Sequence, residues 1–152
     1  MYDVLVIGGG PAGVTAALRA RELGASVALI ERGRLGGTCT NDGCVPTRVL
    51  AHAARLMRET AQHEAYGLFG PRPELDFAQL MKRTQQVVYT IHEKKQMLKH
   101  LESSGVTAYV GVGEARFVDD HTIELGDGQR LSADRFILCV GGHARRLPFP
   151  GA

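Results

Sequence analysis

The sequence predicts an α/β fold: a parallel sheet, an inserted antiparallel helix pair and a small antiparallel β-meander. Three observations predict it. Residues 1–30 run apolar, helical, apolar; residues 46–104 carry helical periodicity; residues 106–125 change to short strand-like runs broken by turn residues. With 152 residues there is enough chain for one sizeable core, so a single domain over 1–152 is expected.

Val4-Leu5-Val6-Ile7 is an uninterrupted apolar run, as suits a parallel strand covered on both faces. Ala12 to Leu23 favours helix, with Gly24 placed to end it, and Val27 to Ile30 reads as a second buried strand. These elements spell βαβ, with a right-handed crossover expected. A glycine-rich, cysteine-bearing loop fills residues 33–44, and Pro46, suited to a first helical turn, starts a helix that runs to about Ala61. Its apolar face is Val49, Leu50, Ala53, Leu56 and Met57. Residues 66–73 form a loop by their prolines and glycines, after which Asp76 is a good N-cap and Gly105 a good stop. Between them Phe77, Thr84, Ile91 and Leu98 recur every seven residues, as do Leu80, Val87, Lys94 and Leu101, which predicts a coiled-coil-like seam on one long helix. Val106 to Val112, Ala115 to Val118 and Thr122 to Leu125 predict the meander, and Phe136 to Val140 a last parallel-type strand, before a linker-like end at Pro148, Pro150 and Gly151.

Composition excludes several classes. Apolar residues at 44% and charged residues at 22% are ordinary globular values, so neither disorder nor a fibrous chain is expected despite 19 glycines. A net charge of +2 is too small for the broad positive field that nucleic-acid binding uses. No apolar run approaches a bilayer's thickness and the start lacks the pattern of a signal peptide, so a cytoplasmic protein without a membrane partner is expected. Three cysteines in that compartment argue for thiol chemistry or simple burial rather than a disulfide framework.

Gly8, Gly10 and Gly13 form GxGxxG between a predicted strand and a predicted helix, the context that makes this pattern usable. The first glycine permits a tight turn, the second lets backbone approach a pyrophosphate, and the third allows close helix packing in a Rossmann-like unit. The helix N-terminus would receive phosphate, and Glu31, at the end of the second strand, could accept hydrogen bonds from a ribose diol. A dinucleotide is expected. These residues leave NAD and FAD undistinguished.

Cys39 and Cys44 are separated by four residues, and Cys44 immediately precedes the helix that Pro46 starts. A thiol at a helix N-terminus is expected to be the more reactive, because backbone N–H groups and the dipole favour its thiolate. A disulfide across so short a loop would exchange readily, making it a redox switch. Structural zinc is disfavoured because no second ligand pair follows and the six histidines are scattered, so no metal is expected. Cys139, inside an apolar strand, reads as a small hydrophobe.

Residues 6–13 (VIGGGPAG), Glu31-Arg32 and the GGTCxNxGCxP pattern from Gly36 to Pro46 resemble the FAD domain of the pyridine nucleotide-disulfide oxidoreductases, as do Gly113 to Phe117 and the strand ending at Gly141. The resemblance implies a Rossmann-like FAD-binding domain. It assigns Gly8, Gly10, Pro11, Ala12 and Gly13 to the FAD pyrophosphate, and Glu31 with Arg32 to the adenosine end. Gly36, Gly37, Thr38, Cys39, Gly43, Cys44 and Arg48 would lie along the rest of the cofactor, with backbone contacts from Ala115 and Gly141. It further implies that Cys44 is the thiol nearest the flavin and Cys39 the one that exchanges with substrate, Cys39, Cys44 and Arg48 being the catalytic candidates. Electrons would pass from NAD(P)H to FAD, to the Cys39-Cys44 disulfide and on to a disulfide, lipoyl group, metal ion or quinone.

Two departures stand out: Arg48 replaces the usual lysine, a change of shape and hydrogen bonding as well as size, and residues 139–142 read Cys-Val-Gly-Gly where Ala-Thr-Gly-Ser is common. The family's chains are much longer, with a nicotinamide domain and an interface domain that this sequence lacks. It is therefore expected to be the N-terminal part of a homodimeric enzyme, without NAD(P)H turnover of its own. The competing reading is a dinucleotide-binding or helix-mediated association module with no activity, resting on the Phe77 to Leu101 seam.

Overall fold

In the computed structural model, residues 1–143, 145 and 147–151 are described. The chain divides into a sheet unit, residues 1–35 with 101–152, and a helical unit, residues 36–100.

In the sheet unit the apolar runs pair in parallel. β1 (Tyr2–Ile7) lies between β2 (Val27–Glu31) and β6 (Arg130–Leu138), in register Val4 to Val27 on one side and Val4 to Arg135 on the other. β3 (Thr107–Val110) extends the parallel set beyond β2, while β5 (Thr122–Glu124) and β4 (Arg116–Asp119) pair antiparallel beyond β6, giving the order β3-β2-β1-β6-β5-β4. Val27 to Ile30 are all buried, which is why β2 shows no polar alternation. α1 (Pro11–Glu22) covers these strands, with Gly13 and Ala17 buried. The main core joins both parts of the sheet: Leu5, Ala28 and Ile30 with Ile123, Leu125, Leu131 and Ala133.

The last strand corrects the sequence reading. The closing parallel strand is longer than the expected Phe136 to Val140: β6 is one nine-residue element whose residues 130–132 pair with β5 and whose residues 133–138 pair with β1. β6 thereby supplies the third arm of the antiparallel ribbon, while the expected first arm, Val106 to Val112, is β3 of the parallel set. Asp134 and Arg135 interrupt the apolar run and conceal this continuity. β6 ends at Leu138, so Cys139 lies just past it, half-buried rather than in the core; its N–H still donates to Ile7 O at 2.7 Å. Across the ribbon, Phe117 and Phe136 meet edge to face at 4.8 Å.

The helical unit contains α2 (Gly37–Asn41), α3 (Cys44–Thr60), a 3₁₀ turn at His63–Tyr66 and α4 (Phe77–Lys95), with α3 packed on α4. α2 is a single turn inside the expected loop. α3 starts two residues before Pro46, leaving the proline in the first turn, where its missing N–H costs nothing. None of its apolar face is fully buried; Leu50, Leu56 and Met57 are exposed. Asp76 caps α4 as expected, its carboxylate accepting from Gln79 N at 2.9 Å.

Two expectations fail on this helix. The helix stops at Gln96, held in the left-handed region (φ 42°), before α5 (Met97–Ser103) resumes, and neither Gly nor Pro announces the break. The seam follows sevens only from Leu80 to Ile91: Thr84 is buried and Leu80, Val87 and Ile91 half-buried, but Val88 is buried beside them, while Phe77, Lys94 and Leu98 are exposed. That is the drift of an ordinary 3.6-residue helix. Among the described residues no helix is long and apolar enough to cross a membrane.

Candidate functional site

The predicted site residues fall into two groups, one in each unit. In the sheet unit, Gly8 carries φ +109°, and a Cβ there or at Gly13 would collide with backbone, with the Cys139 carbonyl in the first case and the Gly8 carbonyl in the second. α1 therefore lies closer to β1 than any side chain permits. Gly10 is the N-cap of α1 and Pro11 its first residue; no side chain caps the helix and no acidic residue occupies its first turn. The N-terminal N–H groups and the positive end of the dipole at Ala12 and Gly13 are thus available to an anion.

Glu31, at the end of β2, is fixed before any ligand arrives. Its Oε2 accepts from Gly9 N at 2.7 Å and its Oε1 from Gly33 N at 2.8 Å. Two donors leave about half of the roughly four acceptor positions of a carboxylate open, enough for the two hydroxyls of a ribose. The sequence reading missed Gly9 and Gly33; their signal was the run of three glycines and the glycine two residues after the acid. Arg32 is exposed, and its carbonyl accepts from Gly113 N at 3.2 Å. Ala115 packs against the core, and Gly141 lies beyond β6 with φ +69°.

In the helical unit the cysteine turn is built by backbone bonds. Asp42 N and Gly43 N both donate to Thr38 O, at 2.9 and 2.6 Å, which folds residues 38–43 back on themselves and delivers Cys44 to the start of α3. Gly36 enters this turn with φ +103°, and a Cβ there would press on Thr40, which is buried. Gly37 begins α2. Cys39 and Cys44 are both exposed free thiols. A hydrogen bond shared with Cys44 holds the proton on Cys39 and raises its pKa, and burial and the nearby sulfur add to the rise; the positive charge of Lys95 acts in the opposite direction. The two sulfurs belong to one turn and are close enough for Cys44 to act on the protonation of Cys39. Arg48 lies one helical turn after Cys44 on an exposed part of α3.

A residue absent from the sequence reading completes this group. His92, in the last turn of α4, brings Nε2 to 2.7 Å from Asn41 Oδ1, inside the cysteine turn, and its Cε1 would be 3.4 Å from a Cβ at Gly36. A lone histidine on a helix carried no spacing signal.

The model of the pyridine nucleotide-disulphide oxidoreductases matches residues 2–152. The chain belongs to that family. Over 149 residues it is 36% identical to a dihydrolipoyl dehydrogenase of Zymomonas mobilis, covering 97% of this chain and 32% of the relative. Over 143 residues it is 37% identical to a mercuric reductase of Lysinibacillus sphaericus, covering 92% and 25%. Among solved structures, the HOCl-induced flavoprotein disulfide reductase RclA of Escherichia coli superposes with a TM-score of 0.75 at 27% identity, covering 99% of this chain and 30% of that one. The chain thus spans a quarter to a third of the length of the relatives it matches. FAD and NAD(P)H are the cofactors of this family of oxidoreductases, and the α/β fold is the one the sequence predicts.

Proposed function

We propose that residues 1–152 form the FAD-binding part of an NAD(P)H-dependent disulfide oxidoreductase whose redox-active pair is Cys39 and Cys44. The observation that carries the reading is that one short chain combines an uncapped α1 N-terminus and a prefixed Glu31 carboxylate with two exposed cysteines on a single backbone-bonded turn. Ala12 and Gly13 would donate backbone N–H groups to the FAD pyrophosphate, with Gly8, Gly10 and Pro11 shaping the approach, and Glu31 would accept from the adenosine ribose. Arg32, Gly36, Gly37, Thr38, Gly43, Arg48, Ala115 and Gly141 would line the remaining length. Bound FAD would supply two-electron transfer between NAD(P)H and the sulfur pair.

The chain's own chemistry is thiol–disulfide exchange. With Cys39 as the attacking thiolate, its sulfur bonds to one sulfur of a substrate disulfide and expels the other as a thiolate that takes up a proton. Cys44 then attacks Cys39, giving the Cys39-Cys44 bond and releasing the second substrate thiol. Two electrons leave the pair and two thiols form, so the step balances. Small disulfides and lipoyl groups suit this chemistry directly; a metal ion or quinone would take the same two electrons. The longer protein is proposed to be a cytoplasmic homodimer.

An anaerobic dithionite titration of the FAD-loaded chain tests this. Uptake of four electrons is expected, two for flavin and two for the sulfur pair. Failure to bind flavin removes the nucleotide half of the proposal, and uptake of two electrons removes the cysteine half.

A further inference from the structure

We propose that His92 is a positioning residue for the cysteine pair: by holding Asn41, it fixes the turn that carries Cys39 and Cys44. This rests on the redox reading of the pair. Asn41 stands between the two cysteines in sequence, and His92 is 51 residues away, so their 2.7 Å contact ties the redox turn to a separate helix. An amide oxygen only accepts, so His92 Nε2 carries the proton, and either the neutral ring protonated there or the imidazolium can donate it. The ring also lies over the turn's entry, since a Cβ at Gly36 would meet both Thr40, at 3.0 Å, and His92. The same turn of α4 places Lys95 where its charge acts on Cys39. The backbone bonds to Thr38 O set the shape of the turn locally, and the His92 ring anchors it from outside the turn.

The effect acts through preorganisation. Closing the bond between Cys39 and Cys44 converts two thiols to a disulfide, releasing two protons and passing two electrons to an acceptor such as glutathione disulfide, which becomes two glutathione thiols. A held turn keeps the sulfurs at high effective concentration for that reaction, and a loosened one lowers it. Loss of one neutral hydrogen bond of ordinary net worth corresponds to roughly a five-fold change in the equilibrium.

The test is the equilibrium of the 152-residue chain with glutathione redox buffers, the Cys39-Cys44 bridge being assigned by peptide mapping. His92→Ala is expected to lower the equilibrium constant for disulfide formation by about five-fold, His92→Gln, which keeps an N–H donor, to recover most of it, and Tyr89→Ala, exposed on the same helix, to leave it unchanged. Asn41→Ala should reproduce the His92→Ala shift, and the double variant should add nothing further, which also decides the matter should His92→Ala fail to fold. An equilibrium constant within two-fold of wild type in Asn41→Ala, or in a folded His92→Ala chain that forms the mapped bridge, overturns the clamp alone. A wild-type chain that forms no such bridge at any buffer ratio overturns the clamp and the redox reading together.

Discussion

The glycine turn of the sheet unit and the cysteine turn of the helical unit are held by different physics. At Gly8 and Gly13 the constraint is backbone against backbone: the next heavy atoms are the carbonyls of Cys139 and Gly8, residues whose own N–H groups are bound to Ile7 O and Ile30 O at the strand ends. At Gly36 the neighbours are the side chains of Thr40 and His92, and the cysteines are exposed. In the proposed function a nucleotide would meet a surface whose shape is set by the sheet, whereas the cysteine pair sits on an exposed turn held by its own backbone bonds and by the His92–Asn41 contact.

The largest effect that could break this contrast is a methyl group added at each turn. Gly13→Ala should destabilise the sheet unit by more than about 3 kcal/mol, because the added carbon falls on a fixed carbonyl, and FAD binding should be lost with it. Gly36→Ala should cost only about 1–2 kcal/mol, mainly for its left-handed backbone. Urea denaturation of both variants measures this, and equal losses would show that the two turns are equally rigid. A smaller effect sharpens the ligand end. Glu31→Gln leaves one acceptor oxygen for the two backbone N–H groups of Gly9 and Gly33, so FAD affinity should fall about ten-fold, equivalent to one unsatisfied donor. Flavin fluorescence quenching reads it; unchanged affinity would reduce Glu31 to a brace for the loop.

The smallest expected effect concerns pH and is confined to the sheet unit. Tyr109 shares a 3.2 Å hydrogen bond with Tyr2, and that bond, with burial, pushes its pKa up from 10.0 to about 12. A raised pKa means that the folded state favours the protonated phenol. Its contribution is therefore complete below pH 10 and disappears as the pH rises toward 12. Denaturation midpoints across that window should fall in wild type and fall less in Tyr2→Phe; parallel slopes would remove the tyrosine pair as the cause.

Much of the fold was legible because its rules are local. The runs Val4 to Ile7 and Val27 to Ile30 are strands by composition alone, and three glycines in register between strand and helix state a backbone requirement that no side chain meets. The cysteine spacing likewise placed two sulfurs on one turn. What escaped depends on distant partners or on single exceptions to propensity. The first half of β6 was not read as strand because its pairing partners, not its sequence, make Arg130 to Arg135 part of it. The break at Gln96 uses a left-handed residue that is neither Gly nor Asn, and the His92–Asn41 bond closes across 51 residues.

The uninterrupted course of β6 makes the ribbon and the parallel sheet one cooperative piece. Amides on either side of Asp134 belong to one strand that joins an antiparallel and a parallel ladder, so Leu131 and Ile137 should exchange with deuterated solvent through the same opening event. Deleting the short hairpin would fray the edge of β1 as well, removing the neighbour on which the first glycine turn is built.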